Sequence, residues 1–163
     1  MTKHSDREAL LSDIITDVSA KIYYKALITI PKDVHEEVKR AFKRETNELA
    51  REQLDQILKN IEAAQKDNNL ICQDVGIPTF FVDIGTEFGC KIDIRQAISN
   101  GMKKLYREEP HILTYQLNPI GWKRGASWEG IHTPFVYIDL IANADYIQLT
   151  AFPKGTGSSM WGK

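Results

Sequence analysis

This sequence of 163 residues has little cysteine and almost no net charge. Its two cysteines cannot form the disulfide framework of a small secreted domain, and they predict a reducing compartment such as the cytoplasm. A formal charge of -1 at pH 7 provides no attraction to nucleic acid or to an anionic membrane, so we expect neither as a partner. The sequence also lacks an apolar run long enough to cross a bilayer, and its N-terminal segment is not that of a signal peptide.

The composition is typical of a globular domain. Hydrophobic residues make up 42% of the chain and charged residues 26%. A chain of this length buries about two-thirds of its unfolded surface in one core. Residues 1–163 are therefore expected to form a single domain that needs no disulfide.

Helical spacing dominates the first 70 residues. An amphipathic helix is predicted by apolar side chains three and four positions apart, at Leu10, Leu11, Ile14, Ile15 and Val18. Residues 31–69 continue the same spacing, and either one long helix or two stacked helices satisfy the pattern. Charges of both signs are interleaved along this stretch, which indicates a solvated surface.

The pattern of residue types changes in the middle of the chain. Residues 77–84 are a short run rich in β-branched and aromatic residues, which predicts a strand. Helical spacing returns over residues 93–106. Residues 117–134 have no sustained period and combine proline, glycine and tryptophan, so we expect an ordered loop there.

Two further strand-like runs, PFVYIDLIA and YIQLTAF, flank the short connection Asn143-Ala144-Asp145, which suits a β-hairpin. The predicted fold class is therefore α/β, with an α+β-like arrangement. N-terminal helices pack on a small mixed β-sheet that contains the strands near Ile77, Phe135 and Ile147.

The first feature that can carry chemistry is Cys72-Gln73-Asp74, at a boundary between helix and strand. A thiolate is a soft ligand for an iron–sulfur cluster or zinc, and a neighbouring carboxylate can transfer protons. The amide between them can bind a substrate carboxylate. A buried structural thiol followed by a turn-forming aspartate fits the same residues, so both interpretations remain open.

The second feature is Lys154-Gly155-Thr156-Gly157-Ser158-Ser159, directly after a predicted strand. Backbone amides of glycines beside a lysine and hydroxyls can receive an anion. The order of lysine and glycines differs from a Walker A loop, and the glycine spacing differs from a dinucleotide fingerprint. A plain flexible loop is the alternative interpretation.

Together and in this order, the two features resemble the alpha subunit, or alpha-like domain, of class I fumarate hydratases and L-tartrate dehydratases. That family has an Ile-Cys-Gln-Asp-Thr-Gly turn and a Lys-Gly-Gly-Gly-Ser loop. The corresponding segments here are residues 71–76, ICQDVG, and residues 154–158, KGTGS. The resemblance extends from about Ala26 to Ser158, and it implies the fumarase class I type of alpha domain.

The resemblance implies a hydro-lyase that reversibly adds water to a small dicarboxylate of the fumarate/malate or tartrate type. It also implies a [4Fe-4S] cluster held by three cysteines, with one iron that acts as a Lewis acid. Cys72 corresponds to an iron ligand, and Asp74 to a candidate group for proton transfer. Residues for substrate binding and for shaping the loop are implied at Gln73, Lys154, Gly155 and Gly157.

The sequence departs from the family pattern in its cysteines. Cys72 is at a family position, whereas Cys90 is not, and we interpret Cys90 as a structural thiol. The other two family cysteines lie beyond the glycine loop. We therefore expect the N-terminal part of a longer alpha subunit, inactive by itself, with a beta subunit or C-terminal domain and a homo-oligomer as partners.

The family arginine that binds a substrate carboxylate corresponds to Leu113, and leucine cannot pair with a carboxylate. Lys123 or Arg124 can substitute for it, although a solvated surface charge also fits each. His111 and His132 match no spacing of metal ligands. The alternative function is that of a noncatalytic relative, which binds a partner subunit or a small anion through the glycine loop.

Overall fold

A computed structural model describes residues 2–72, 74–89, 91–110, 112, 115–117, 124–126, 133–155 and 157, and of residues 2–5, 115–117 and 124–126 the backbone alone. The chain divides into a sheet unit, Met1–Tyr24 with Asp74–Lys163, and a helical unit, Lys25–Gln73. The elements in chain order are α1 (Thr2–Ile28), α2 (Lys32–Arg44), α3 (Glu48–Asp67), β1 (Ile77–Gly85), α4 (Ile94–Glu108), β2 (Tyr115–Leu117), β3 (Arg124–Ala126), β4 (Phe135–Ile141) and β5 (Ile147–Lys154).

The sheet of the sheet unit has three strands in the order β4-β1-β5. β1 is parallel to β4 and antiparallel to β5. The predicted mixed sheet near Ile77, Phe135 and Ile147 is thereby confirmed. The fold class is α/β, with helices packed against this sheet.

The predicted hairpin between β4 and β5 is wrong, because β1 lies between these strands. Their short connection crosses the end of β1 and bonds to it. The Gly85 N–H donates to the Tyr146 carbonyl at 2.8 Å, and the Thr86 N–H donates to the Ile141 carbonyl at 3.0 Å. The connection spans two strand spacings, roughly 10 Å, which a few extended residues can cover.

One face of β1 forms the core of the sheet unit. Phe80 and Val82 are 0% and 1% exposed. The ring of Phe80 lies 6.1 Å from that of Tyr23 on α1. On α4, which is present as predicted, Ile98 and Met102 are fully buried. Alternation along the strand thus directs one set of side chains to the helices.

α1 buries a different face from the one that its apolar residues suggest. Leu10, Ile14 and Val18 are 62%, 48% and 37% exposed. Ile15, Ser19 and Tyr23 are buried at a spacing of four residues. The predicted helix is therefore confirmed, but most of its predicted apolar face is exposed. No helix among the described residues, including α1, is long and apolar enough to cross a membrane.

A close contact joins α1 to α4 at Gly101. A Cβ at this position would lie 2.5 Å from the Thr16 carbonyl oxygen and 2.9 Å from the Ser19 Cβ. The Thr16 hydroxyl donates to the Ala97 carbonyl at 3.1 Å. The two helices approach this closely because Gly101 has no side chain.

The helical unit contains two helices where the sequence allowed one or two. The helices separate at residues 45–47, where the Glu45 carboxylate accepts the N–H groups of Thr46 and Asn47, both at 2.8 Å. The Asn47 side chain then caps α3 by accepting the Ala50 N–H at 3.1 Å. α3 ends at Asn68, whose φ of 49° is left-handed. No residue of α2 is buried, as expected for a solvated charged surface.

The predicted loop over residues 117–134 contains a short strand, and that part of the prediction is wrong. β3 pairs with β2 in an antiparallel ladder, in which Gln116 is opposite Gly125. A strand of three residues centred on glycine is too short to show a period of two. The rest of the predicted loop, residues 118–123 and 127–132, lies outside the described residues.

We expect Gly101→Ala to destabilise the chain by a net ~1 to 2 kcal/mol. Replacing glycine by alanine in a helix gains about 1 kcal/mol. Overpacking against a backbone oxygen at 2.5 Å lies in the upper part of its usual range and costs about 2 to 3 kcal/mol. Chemical denaturation measures the difference. Asn100→Ala, at the adjacent exposed position, is the control and should change stability little; a Gly101→Ala chain as stable as wild type would contradict the close contact.

Candidate active site

Strand register brings Asp74, the last residue of the first motif, and Lys154, the first residue of the second, to one end of the sheet. Ile77, at the start of β1, pairs with Lys154, at the end of β5. Because these strands are antiparallel, the segment before β1 and the segment after β5 lie side by side. We call Asp74–Gly76 the aspartate turn. The described residues of the segment 154–159, which are Lys154, Gly155 and Gly157, are called the glycine loop.

Gly76 lies close against the backbone of the glycine loop. Its φ is 67°, in the left-handed region that favours glycine. A Cβ at this position would overlap the carbonyl group of Lys154 and would lie 2.7 Å from the Gly155 nitrogen. The turn therefore needs glycine for its conformation and for the space that the loop backbone occupies.

Asp74 bonds to both segments. One carboxylate oxygen, Oδ1, accepts the Gly76 N–H at 3.2 Å, and the other, Oδ2, accepts the Gly157 N–H at 3.3 Å. Two motifs that are far apart in sequence are thus joined through one side chain.

Tyr23 supports the aspartate turn from the core. Its buried hydroxyl donates to the Val75 carbonyl at 2.8 Å. The pKa of Tyr23 is raised well above its usual value. Burial of the hydroxyl is the largest cause of the raised pKa, and electrostatic interactions with Tyr106 and Asp74 contribute less. Tyr23 is not among the site residues predicted from the sequence. Its spacing of four from Ser19 and Ile15 is the signal that could have found it.

Cys72 lies in the helical unit, two residues before Asp74 in the chain, and it is exposed to solvent. The backbone just before it is held within that unit. The Ile71 N–H donates to the Leu27 carbonyl at 3.1 Å, and the Asn60 side chain donates to the Ile71 carbonyl at 2.5 Å. An exposed thiol on an anchored backbone suits a ligand to an iron–sulfur cluster.

The residues of this chain do not form a complete ligand set for a cluster with three thiolates. The whole sequence has two cysteines. Among the described residues, no three His, Cys, Asp or Glu side chains are grouped so that they could hold a metal ion. Cys72 fits one ligand position, and a complete set needs thiolates from another polypeptide segment.

The sheet end combines groups that suit an anionic substrate. Lys154 is the exposed last residue of β5, and Gly155 follows it. The Asp74 carboxylate is adjacent. A cation and glycine amides can bind a substrate carboxylate, and a carboxylate can transfer a proton. Several residues discussed from the sequence lie outside the described residues: the predicted substrate-binding residue Gln73, and also Cys90, His111, Leu113, Lys123 and His132. Of Arg124, only the backbone is described.

Known proteins match most of the chain. The family model for fumarate hydratase (fumerase) matches residues 16–163. A curated protein of Methanocaldococcus jannaschii, provisionally named L(+)-tartrate dehydratase subunit alpha, is 31% identical over 147 residues. That match covers 88% of this chain and 51% of the other protein. The chain thus spans about half the length of the curated relative it matches.

Gly76→Ala should be more destabilising than Gly89→Ala. Both glycines have a left-handed φ, 67° and 64°, and alanine in that region costs about 1 to 2 kcal/mol. The nearest atom to an added Cβ at Gly89 is 3.6 Å away, so only Gly76→Ala also overlaps backbone. Overlap adds about 1 to 3 kcal/mol. Urea denaturation of the two variants measures this difference, and equal costs would exclude the close approach.

Tyr23→Phe should lower stability at pH 7 by about 1 to 2 kcal/mol, because the Val75 carbonyl loses its donor. It should also make the alkaline loss of stability shallower. The folded state raises the pKa of Tyr23, so this stability is complete below pH ~10 and decreases as the pH rises, by at most ~1.4 kcal/mol per pH unit.

Urea denaturation between neutral and alkaline pH compares the two chains. Tyr137→Phe removes an exposed hydroxyl and is the control at pH 7, with an expected change below about 0.5 kcal/mol. Identical pH dependence of wild type and Tyr23→Phe would contradict the burial of the Tyr23 hydroxyl.

Proposed function

The chain belongs to the fumarate hydratase family, and from that membership we propose that it is the N-terminal part of the alpha subunit of an iron–sulfur hydro-lyase. The enzyme would reversibly add water to a small dicarboxylate of the fumarate/malate or tartrate type. The matched relative carries the name of a tartrate dehydratase alpha subunit, which supports this substrate class.

The observation that carries the proposal is the junction between the aspartate turn and the glycine loop. The two segments that resemble family motifs are separated by most of the sheet unit in sequence. They meet through the pairing of Ile77 with Lys154 and through the Asp74–Gly157 hydrogen bond. A substrate site built from both segments requires that the two segments lie next to each other.

We assign the roles within this site by the family motifs. Gln73 and the backbone of Gly155 would hold a substrate carboxylate, because an amide and a glycine N–H both donate hydrogen bonds. Asp74 would transfer the proton at the carbon next to the hydroxyl. Lys154 and Gly157 would shape the loop.

Cys72 would be one of three cysteine ligands of a [4Fe-4S] cluster. When bound, the cluster supplies a Lewis-acidic iron that polarises the departing hydroxyl group. Since the chain has two cysteines and Cys90 is assigned a structural role, two ligands would come from a C-terminal domain or a beta subunit. The subunit name of the relative supports such an assembly, and we include a homo-oligomer in the proposal.

A cytoplasmic location is part of the same proposal. An exposed thiol that binds iron must remain reduced, and cytoplasmic thiols are kept reduced. By the family resemblance, Leu113 occupies the position of the arginine that binds a substrate carboxylate, and leucine cannot form that pair.

Cys72→Ala in the assembled enzyme should abolish the visible absorption of a cluster reconstituted anaerobically with iron and sulfide. Hydro-lyase activity should be lost with it, because a cluster with a missing thiolate ligand is not retained. Cys90→Ala is the matched control and should keep both signals. Full cluster absorption in Cys72→Ala would overturn the ligand assignment, and absence of any cluster from the wild-type enzyme would overturn the proposed function.

A further inference from the structure

We propose that Asp74 is also a positioning residue, whose carboxylate holds the glycine loop at a set distance from the aspartate turn. The consequence for substrate binding rests on the proposed function. The bridging itself is a property of this chain and can be measured without substrate or cluster.

The Asp74 carboxylate bonds to a residue that lies beyond the end of the β1–β5 ladder. The β1–β5 ladder ends with the pair Ile77–Lys154. Gly157 lies three residues beyond that pair, and its N–H donates to Asp74 Oδ2 at 3.3 Å. The Asp74 bond therefore extends the connection between the two segments into the glycine loop.

The chemistry of the bridge calls for an aspartate. Both partners, Gly76 and Gly157, present N–H donors, and an ionised carboxylate offers an acceptor oxygen to each. Asparagine would direct an NH₂ donor toward one of them. Glutamate would keep both oxygens but move them outward by one methylene group.

The backbone that follows Asp74, at Val75 and Gly76, is held in place by its neighbours. Val75, next to Asp74, is 2% exposed, and its carbonyl accepts the Tyr23 hydroxyl. Gly76 lies against the backbone of Lys154 and Gly155. A carboxylate mounted on an anchored backbone can transmit that anchoring to the Gly157 amide, and this distinguishes positioning from a surface hydrogen bond that merely follows the loop.

The two roles of Asp74 affect different kinetic quantities. Loop amides that bind a substrate carboxylate depend on their spacing, so loss of the bridge should raise KM by a larger factor than it lowers kcat. Loss of proton transfer alone should lower kcat and leave the glycine loop unchanged.

Amide resonances of the 163-residue chain test the bridge directly. In Asp74→Asn, the Gly157 amide should exchange with solvent about threefold to tenfold faster, and its proton resonance should shift upfield as it loses a charged acceptor. Asp139→Asn removes an exposed aspartate on β4 and is the matched control, in which Gly157 should be unchanged. The amide of the buried Val82 reports that the fold is intact in both variants.

Unchanged exchange and chemical shift of Gly157 in a folded Asp74→Asn chain would overturn the proposal. If that variant does not fold, Asp74→Ala replaces it; alanine removes both acceptor oxygens, so an unchanged Gly157 amide there has the same meaning. In the assembled enzyme, a decrease in kcat with KM unchanged would also count against positioning. Failure of the proposed function would appear instead as a wild-type enzyme without cluster or activity, with the exchange result still valid.

Discussion

The antiparallel pairing of β1 with β5 is the constraint on which the sheet unit depends. β1 is the central strand, and a glycine lies at each of its ends. Gly76 lies against Lys154 and Gly85 against Ala144, and an added Cβ at either glycine would overlap a backbone carbonyl group. A slip of register by one residue would place side chains in those two contacts. The relative position of the aspartate turn and the glycine loop is therefore set by the backbone of the sheet.

Core packing and the candidate site share residues as a result. Tyr23 packs its ring near Phe80 in the core and donates its hydroxyl to Val75 in the turn. Because the ring is fully buried, its hydroxyl cannot move without displacing the core. Positions on α1 that affect the packing of Tyr23 thus affect the turn, although they lie far from the glycine loop in sequence.

Helical spacing predicted α1 and α4, and runs of β-branched and aromatic residues predicted β1, β4 and β5. Strand order follows from contacts between distant segments, so the short connection at residues 143–145 suggested a hairpin that does not exist. The face of α1 was misjudged for a related reason. Apolar residues occur on two sides of this helix, and the buried side carries Ser19 opposite Gly101, which a hydrophobic pattern alone does not select.

The order and identity of the two motifs could be recognised from the sequence, but the bond between them could not. The identity of an aspartate does not reveal whether its carboxylate transfers a proton, accepts hydrogen bonds from backbone amides, or does both. Whether the carboxylate can hold a loop depends on which N–H groups surround it. One of them, Gly76, is close in sequence, whereas Gly157 becomes a neighbour only through the β1–β5 register. The hydrogen bonding of Asp74 is therefore a property of the fold, and it arises from the same register that brings the turn and the loop together.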